Sequence, residues 1–327
     1  MAVRFSGSYG TTFKNTINVY IHDEDYVGDI YPINKFDDAG LIEKSEGTHT
    51  DAIKPTSYKC TIYIDSNELL ALFEDFISAP EGRFHLEVRR GSTLLFFGRI
   101  IVDAMALDDA FEPSFTFMAI DGVTLLKNVQ YSITTATNKL ANIKDIIVNC
   151  LNLNDVVTKM YSGTARLVVI ASNLQFDDAY FDGEGFYNHA CLHDYFFTLE
   201  KNSEERLKAW DVLVEVLNRF GLNMRYWKGA YYVFGCEYPA EMYNYVKGYD
   251  KNGDNIGTVT LATSSLTIDN MSLTGGKYYF ENGLKQVQIN AKKEFANAYF
   301  GENLKWVKTD NSYYSIGALP KDKVYRG

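Results

Sequence analysis

The chain has 327 residues, 46% hydrophobic and 23% charged, which suits two or three packed domains and excludes a disordered chain. Its 32 Lys and Arg against 42 Asp and Glu leave a net charge of −10, which argues against a nucleic-acid groove; the longest basic runs are only Arg89-Arg90 and Lys292-Lys293. No apolar run reaches the ~18 residues that span a bilayer, and the opening MAVRFSGSYGTTFKNT lacks the apolar core of a secretory signal.

From the N-terminus, NTINVYIH and YKCTIYI read as strands separated by a loop rich in Asp, Gly and Lys. Asp65 and Glu68 form a D-x-x-E start for a helix carrying Leu69, Leu72, Phe73 and Phe76, which Pro80 stops. Residues 83–131 are the most informative stretch. Phe84, Leu86 and Val88 alternate with polar residues, Arg90-Gly91-Ser92 turns the chain, and LLFFGRIIV follows with Gly98 mid-strand, the mark of a bulge or a close backbone approach. A third strand, SFTFMAI, ends at Asp121-Gly122, and VTLLKN begins a helical turn. Residues 14–128 thus suit a small barrel or split barrel with a helix across one opening.

Beyond residue 128 the pattern changes. Leu140, Ile143, Ile147, Cys150 and Leu151 make a helical stripe near 138–152, and ARLVVIA reads as a short strand. The strongest helix is ERLKAWDVLVEVLNRFG, with Asn202 as cap, a stripe of Leu207, Trp210, Leu213, Leu217 and Phe220, and Gly221 as terminator. A hairpin follows, LNMRYW and AYYVFGC about a Lys228-Gly229 turn. From 241 onward further strands (GTVTLA, SLTI, KYYF, LKQVQINAK) suggest a second β-domain. The expected fold is α+β and mainly β, with boundaries at 1–128, 129–240 and 241–327. The 24 Tyr and 21 Phe fit a β-rich core, and the four separated cysteines (Cys60, Cys150, Cys191, Cys236) read as reduced core residues.

Catalytic patterns are missing: there is no G-x-S-x-G, no P-loop and no H-E-x-x-H, so no catalytic or cofactor-binding residue is assigned. His189, Cys191 and His193 alternate as weak metal candidates, but a tetrahedral site needs a fourth ligand and a packed loop is the simpler reading. Asp250 to Leu261 lacks the Gly and the terminal Glu of a calcium loop, so a hairpin turn on Asn252-Gly253 is favoured. Asp177, Asp178, Asp182 and Glu184 read as a solvated acidic loop.

The stretch FFGRIIVDAMALDDAFEPSFTFMAIDGVTLLKNVQY resembles tail proteins of bacteriophages, in particular those of Bacteroidetes-type hosts. The resemblance rests on Gly98, Ile100, Ala119, Asp121, Gly122, Leu125, Leu126, Lys127 and Tyr131, and downstream on Trp210, Phe220, Gly221, Trp227, Lys228 and Gly229. It covers about 80–240 and is similar to the baseplate hub of contractile-tailed phages. It implies a homotrimeric tail hub whose two tube-type barrels per chain, flanking an inserted helix-plus-hairpin module, make a pseudo-sixfold ring. The implied partners are a hexameric tail tube protein, a distal spike or fibre protein and a tape measure protein, with no sequence-specific nucleic acid, no membrane insertion and no cofactor. The implied location is the virion, after folding in the host bacterial cytoplasm, with DNA ejected past an acidic lumen that repels phosphates. Alternatives are the hub of a contractile injection system, a receptor- or carbohydrate-binding tail module using Tyr180, Phe181, Tyr187 and Tyr195, and a metal-dependent hydrolase centred on 177–194.

Overall fold

The computed structural model describes residues 1–10, 16–44, 51–108, 112–132, 140–160, 165–172, 187, 191–193, 197, 206–235, 245–260, 304–308 and 314–318. The chain forms two compact units, 1–264 and 265–327, and is α+β and mainly β.

The first unit opens with an eight-stranded sheet. Its members are β1 (Ala2–Gly10), β2 (Thr16–Asp23), β3 (Tyr31–Ile33), β4 (Phe36–Lys44), β6 (Thr56–Tyr63), β7 (Phe84–Arg90), β8 (Thr93–Asp108) and β9 (Ser114–Ile120), in the order β3-β1-β2-β7-β8-β9-β6-β4. Neighbours are antiparallel except β3 with β1. The two edge strands are consecutive in the chain, joined by Asn34 and Lys35 alone. The sheet therefore has to curl until its edges meet, and Tyr9 of β1 packs on Phe36 of β4 with ring centroids 5.3 Å apart. The Tyr9 and Tyr58 hydroxyls hydrogen-bond at 2.9 Å inside the curl. The 83–120 meander is β7-β8-β9, with the β8–β9 register shifting between Ile101 and Ala106 where the strand bends.

Helix α1 (Asn67–Ser78) covers this half-barrel. Its cap is Ser66, whose hydroxyl accepts the Leu69 N–H at 3.2 Å, one residue later than the D-x-x-E spacing suggests. Leu69, Leu72 and Phe76 are buried, and the Phe76 ring sits 4.6 Å from Phe84 and 5.9 Å from Phe117. Burying one such ring contributes about 2–3 kcal/mol.

The second sheet has six strands, β16-β15-β11-β14-β13-β5. These are β5 (Ile53–Lys54), β11 (Val168–Ser172), β13 (Leu222–Trp227), β14 (Ala230–Gly235), β15 (Tyr245–Tyr249) and β16 (Asn255–Thr258). Strand β11 is apolar throughout its buried stretch, as a parallel neighbour of β14 should be. Helices α2 (Ile143–Asn152), α3 (Asp155–Met160) and α4 (Ala209–Arg219), the 3-10 helix Val123–Asn128, and the short pair β10 (Leu140–Asn142) with β12 (Cys191–His193) complete the unit.

Three helix expectations shift. Leu140 is in β10 rather than on a helical stripe, and Asn142 caps α2 by accepting the Asp145 N–H at 2.7 Å. Helix α4 starts at Ala209, not near Glu204, because the backbone at 207–209 is engaged elsewhere: Tyr131 N–H donates to Leu207 O at 2.9 Å, and Ala209 N–H to Val129 O at 2.8 Å. Its buried face is consequently Ala209, Val212, Leu213, Val216 and Leu217, leaving Leu207, Trp210 and Phe220 half-buried.

One hydrophobic cluster runs from Phe5 through Leu126, Ile147 and Leu213 to Tyr249, so the core continues across residue 128, where the 3-10 helix ends. Strands β15 and β16, in the 241–327 segment, pair with β11 and with each other. The rest of that segment lies outside the described residues, apart from the turn at 250–254, Val259, Thr260 and the antiparallel hairpin of β17 (Leu304–Lys308) and β18 (Tyr314–Ala318) in the second unit.

Asp23 fastens one end of the half-barrel. Its carboxylate is fully buried and accepts from Arg83 at 2.7 and 2.9 Å, from Arg4 at 3.0 Å and from the Asp25 N–H at 3.1 Å, while Arg4 also reaches Asp75 of α1 at 2.6 Å. Burial opposes its ionisation, but these donors together hold the carboxyl below the usual range. Asp23→Ala should lower stability by about 3 kcal/mol, because two guanidinium groups lose their shared acceptor. An unchanged urea midpoint would show that the staple is dispensable.

Candidate functional site

Asp121 and Gly122 lie at the end of β9, where the half-barrel gives way to the 3-10 helix. The Asp121 side chain is buried. Its Oδ2 accepts the Thr56 N–H at 2.9 Å and its Oδ1 accepts the Val123 N–H at 3.1 Å. The Asp121 carbonyl accepts the Tyr231 hydroxyl of β14 at 2.7 Å and the Asn154 amide at 3.2 Å. Asn154, buried between α2 and α3, also accepts the Val156 N–H at 3.0 Å. Gly122 has φ 82°, and a Cβ there would collide with the Asn154 amide and, at 2.7 Å, with Val156. Gly98 belongs to the same corner: a Cβ on it would strike the carbonyl of Ile120, directly before Asp121. This is a junction of three layers made from one turn.

A second set of contacts runs alongside. Residues Ile53 and Lys54 extend the second sheet as β5 before the chain re-enters the half-barrel at Thr56, whose hydroxyl donates to Tyr226 O at 3.4 Å. The Tyr226 hydroxyl accepts the Phe97 N–H at 3.2 Å, and its ring lies 6.0 Å from Phe96 and 5.1 Å from Tyr231. The β13–β14 turn has positive φ at both Lys228 (45°) and Gly229 (74°), the geometry that matches strand twist, and its Gly229 abuts Leu94 of β8. The hairpin is packed onto the half-barrel rather than standing away from it.

On the outer face of β7, His85 is fully buried with neither ring nitrogen hydrogen-bonded, stacked on Phe97 at 5.7 Å and 19°. Helix α3 covers it, held by Arg99 to Asp155 at 3.4 Å, by Lys159 to Gly82 O at 3.0 Å and by a Lys159–Glu24 ion pair. Burial first, and the nearby Lys159 second, push the His85 imidazole down to about 4. At Asp121, burial outweighs the two N–H donors and pushes the carboxyl up to about 7.

Of the residues singled out in sequence, Gly98, Asp121, Gly122 and Leu126 meet at or beside this junction. Trp210 of α4 meets the 3-10 helix through Lys127, whose Nζ lies 4.5 Å from its ring. Phe220 and Gly221 (φ 61°) end α4 some distance along the chain, where Phe220 packs on Tyr187 at 6.1 Å. Tyr187 is buried, which removes it as a ligand-stacking ring; Tyr180, Phe181 and Tyr195 lie outside the described residues. His189 also lies outside them; Cys191 is exposed rather than a core residue, and β12 carries it opposite Asn142. His193 pairs through its backbone register with Leu140. Among the described residues no cluster of three His, Cys, Asp or Glu side chains could hold a metal. Cys60 and Cys150 are buried, and Cys236 lies outside the described residues, as does the 177–184 acidic loop. Asp250 spends its Oδ1 on the Asn252 and Asp254 N–H groups at 2.8 and 3.0 Å, so this segment is a hairpin turn. Thr56, Asn154, Tyr231 and His85 are not visible as a group in sequence, because nothing local distinguishes them.

No protein-family model matches the chain, and no curated protein matches it either. Solved structures do. The tail protein from Neisseria meningitidis MC58 is 11% identical with a TM-score of 0.38, covering 69% of this chain and 51% of that one. The 43 kDa tail protein of prophage MuSo2 from Shewanella oneidensis is 9% identical with a TM-score of 0.36, covering 66% of this chain and 55% of that one. The chain thus spans about half the length of these two solved proteins. No helix among the described residues is long and apolar enough to cross a membrane.

Gly122→Ala should destabilise the protein by about 3 kcal/mol, combining a left-handed alanine with overpacking against Asn154; a thermal midpoint equal to wild type would contradict that crowding. The two titrating groups act in opposite directions. Between pH 4 and 7 the native state holds the Asp121 proton that the unfolded chain has lost, so this group makes stability fall as pH rises. Between pH 6.5 and 4 the unfolded chain binds a proton at His85 that the native state refuses, so this group makes stability fall as pH drops. Urea midpoints measured against pH should lose the first slope in Asp121→Asn and the second in His85→Phe. Parallel profiles for all three proteins would refute both assignments.

Proposed function

We propose that this chain is a structural virion protein, a bacteriophage tail hub that joins the tail tube to the distal tip or spike and lines the channel for DNA. The observation that carries this reading is the curled, eight-stranded half-barrel cross-braced by a buried junction, in the same residues (Gly98, Asp121, Gly122, Leu126) on which the sequence resemblance to phage tail proteins rests. A wall that must keep its radius while DNA slides past needs a closed and braced sheet, and here the short β3–β4 link closes the curl while the second sheet and α3 pack against it. The net charge of −10 suits such a lumen, since it disfavours adhesion of phosphates.

In this reading the protein works as a homotrimer between a hexameric tail tube protein and a distal spike or fibre protein, with the tape measure protein also in contact. The segments 1–128, 129–240 and 241–327 are assigned as first hub barrel, peripheral α+β module and second β-domain, with β5 of the first and β15 and β16 of the third lent to the module's sheet. The protein folds in the host cytoplasm and functions in the virion, with no catalytic residue and no cofactor. Native mass and electron-microscopic symmetry of the purified chain test this. A threefold ring with an axial channel is expected, and a monodisperse monomer at every concentration overturns it.

A further inference from the structure

The two ends of the half-barrel differ in the charges left without an ion-pair partner among the described residues, Asp29 at one and Arg90 at the other, while Arg4, Arg83 and Lys159 neutralise most of the carboxylates beside Asp29. At the end where β2 finishes and β7 begins, the Glu24–Ile30 segment carries Glu24, Asp25 and Asp29; Glu24 is tied to Lys159, the Asp25 side chain is 72% exposed and 3.5 Å from Arg83, and Asp29 forms no ion pair with a described residue. At the other end, where β2 starts and β7 finishes, Arg90 is exposed and no described carboxylate pairs with it. The Lys228-Gly229 turn packs on Leu94 at that same end, adding exposed Lys228. Eight residues of β2 separate the two ends, about 25 Å.

Each charged end also carries exposed apolar surface. In the Glu24–Ile30 segment Val27 is 97% exposed and Ile30 55%. This loop has a preset shape: the Tyr26 hydroxyl donates to Asp29 O at 2.6 Å, the Arg4 guanidinium lies 5.3 Å from the Tyr26 ring, and Tyr31 packs against it at 6.3 Å. The backbone therefore holds two aliphatic side chains out in water while using the neighbouring aromatic as support. At the basic end Trp227 is 40% exposed beside Lys228. An acidic, aliphatic knob at one end and a basic, aromatic platform at the other are complementary in both charge and apolarity. Opposite ends meeting would bring the unpaired Asp29 toward the unpaired Arg90, a match that two copies meeting through the same end lack.

We propose that copies of this chain associate head to tail, the Tyr26–Ile30 loop of one seating on the Arg90, Trp227 and Lys228 end of the next. The inference rests on the homo-oligomeric part of the hub reading and assigns the contact that would build it. Such a contact is heterologous, so it closes into a ring where the rotation between copies permits and otherwise extends as a filament. Its exposed charges make it sensitive to salt.

Sedimentation velocity of the full chain over a concentration series, at low and high salt, provides the test. Val27→Ser, Asp29→Lys and Arg90→Glu should each weaken association at least tenfold, with the far-ultraviolet circular dichroism of the fold unchanged. The double variant Asp29→Lys/Arg90→Glu reverses both ends and should regain association, which no general loss of folding could produce. If the wild type assembles and all three single variants assemble equally well, this contact is wrong and the hub reading stands. If the wild type never assembles, both fall.

Discussion

A carboxyl group taken wholly out of water must be met by donors, and Asp121 is met by main-chain N–H groups from two different places, Thr56 and Val123. Its own carbonyl is met by two more donors, Tyr231 and Asn154. One residue thereby connects the start of β6, the end of β9, the helices and the second sheet. No part of this arrangement can move by an ångström without leaving a polar atom unpaired in a medium where that costs several times more than at the surface. The seat of the second sheet against the half-barrel follows from this requirement.

The outer face shows the same logic with the opposite solution. His85 has no hydrogen-bond partner, and its ring is sheltered by Phe97 on the sheet and by α3 above. The surrounding ions, Arg99, Asp155, Lys159 and Glu24, pair with one another around it rather than with the imidazole. A neutral ring is the form this packing accepts. The helix is thus clamped by ions at its rim while its centre stays apolar.

Sequence patterning reveals the local part of this fold and little of its connectivity. Strands β7, β8 and β9 are legible because their alternation is clean and Arg90-Gly91-Ser92 and Asp121-Gly122 punctuate it. Periodicity misplaces the start of α4 because Leu207 to Ala209 look helical by spacing, yet their backbone groups bond to Val129 and Tyr131. Strand β5 is two residues long, and β1 is half polar, so neither presents a period to read. At the junction, Asp121-Gly122 announces a turn. Its partners Thr56, Asn154 and Tyr231 are 65, 33 and 110 residues away and carry no local mark. Tyr187 illustrates the same limit, since an aromatic loop residue that looks available for stacking is in fact buried on Phe220.

The bond between Thr56 and Tyr226 spans 170 residues of chain. At synthesis rates of about 5–20 residues per second, the ~100 residues that separate Tyr131 from Tyr231 take on the order of 5–20 seconds to appear. Through that interval the meander and its Asp121 corner exist without the hydroxyl and the sheet that later complete them. The half-barrel is an early product waiting on a late one. Its tyrosine-closed edges and its arginine staple at Asp23, all encoded before residue 84, are the contacts able to keep the nascent sheet folded until then.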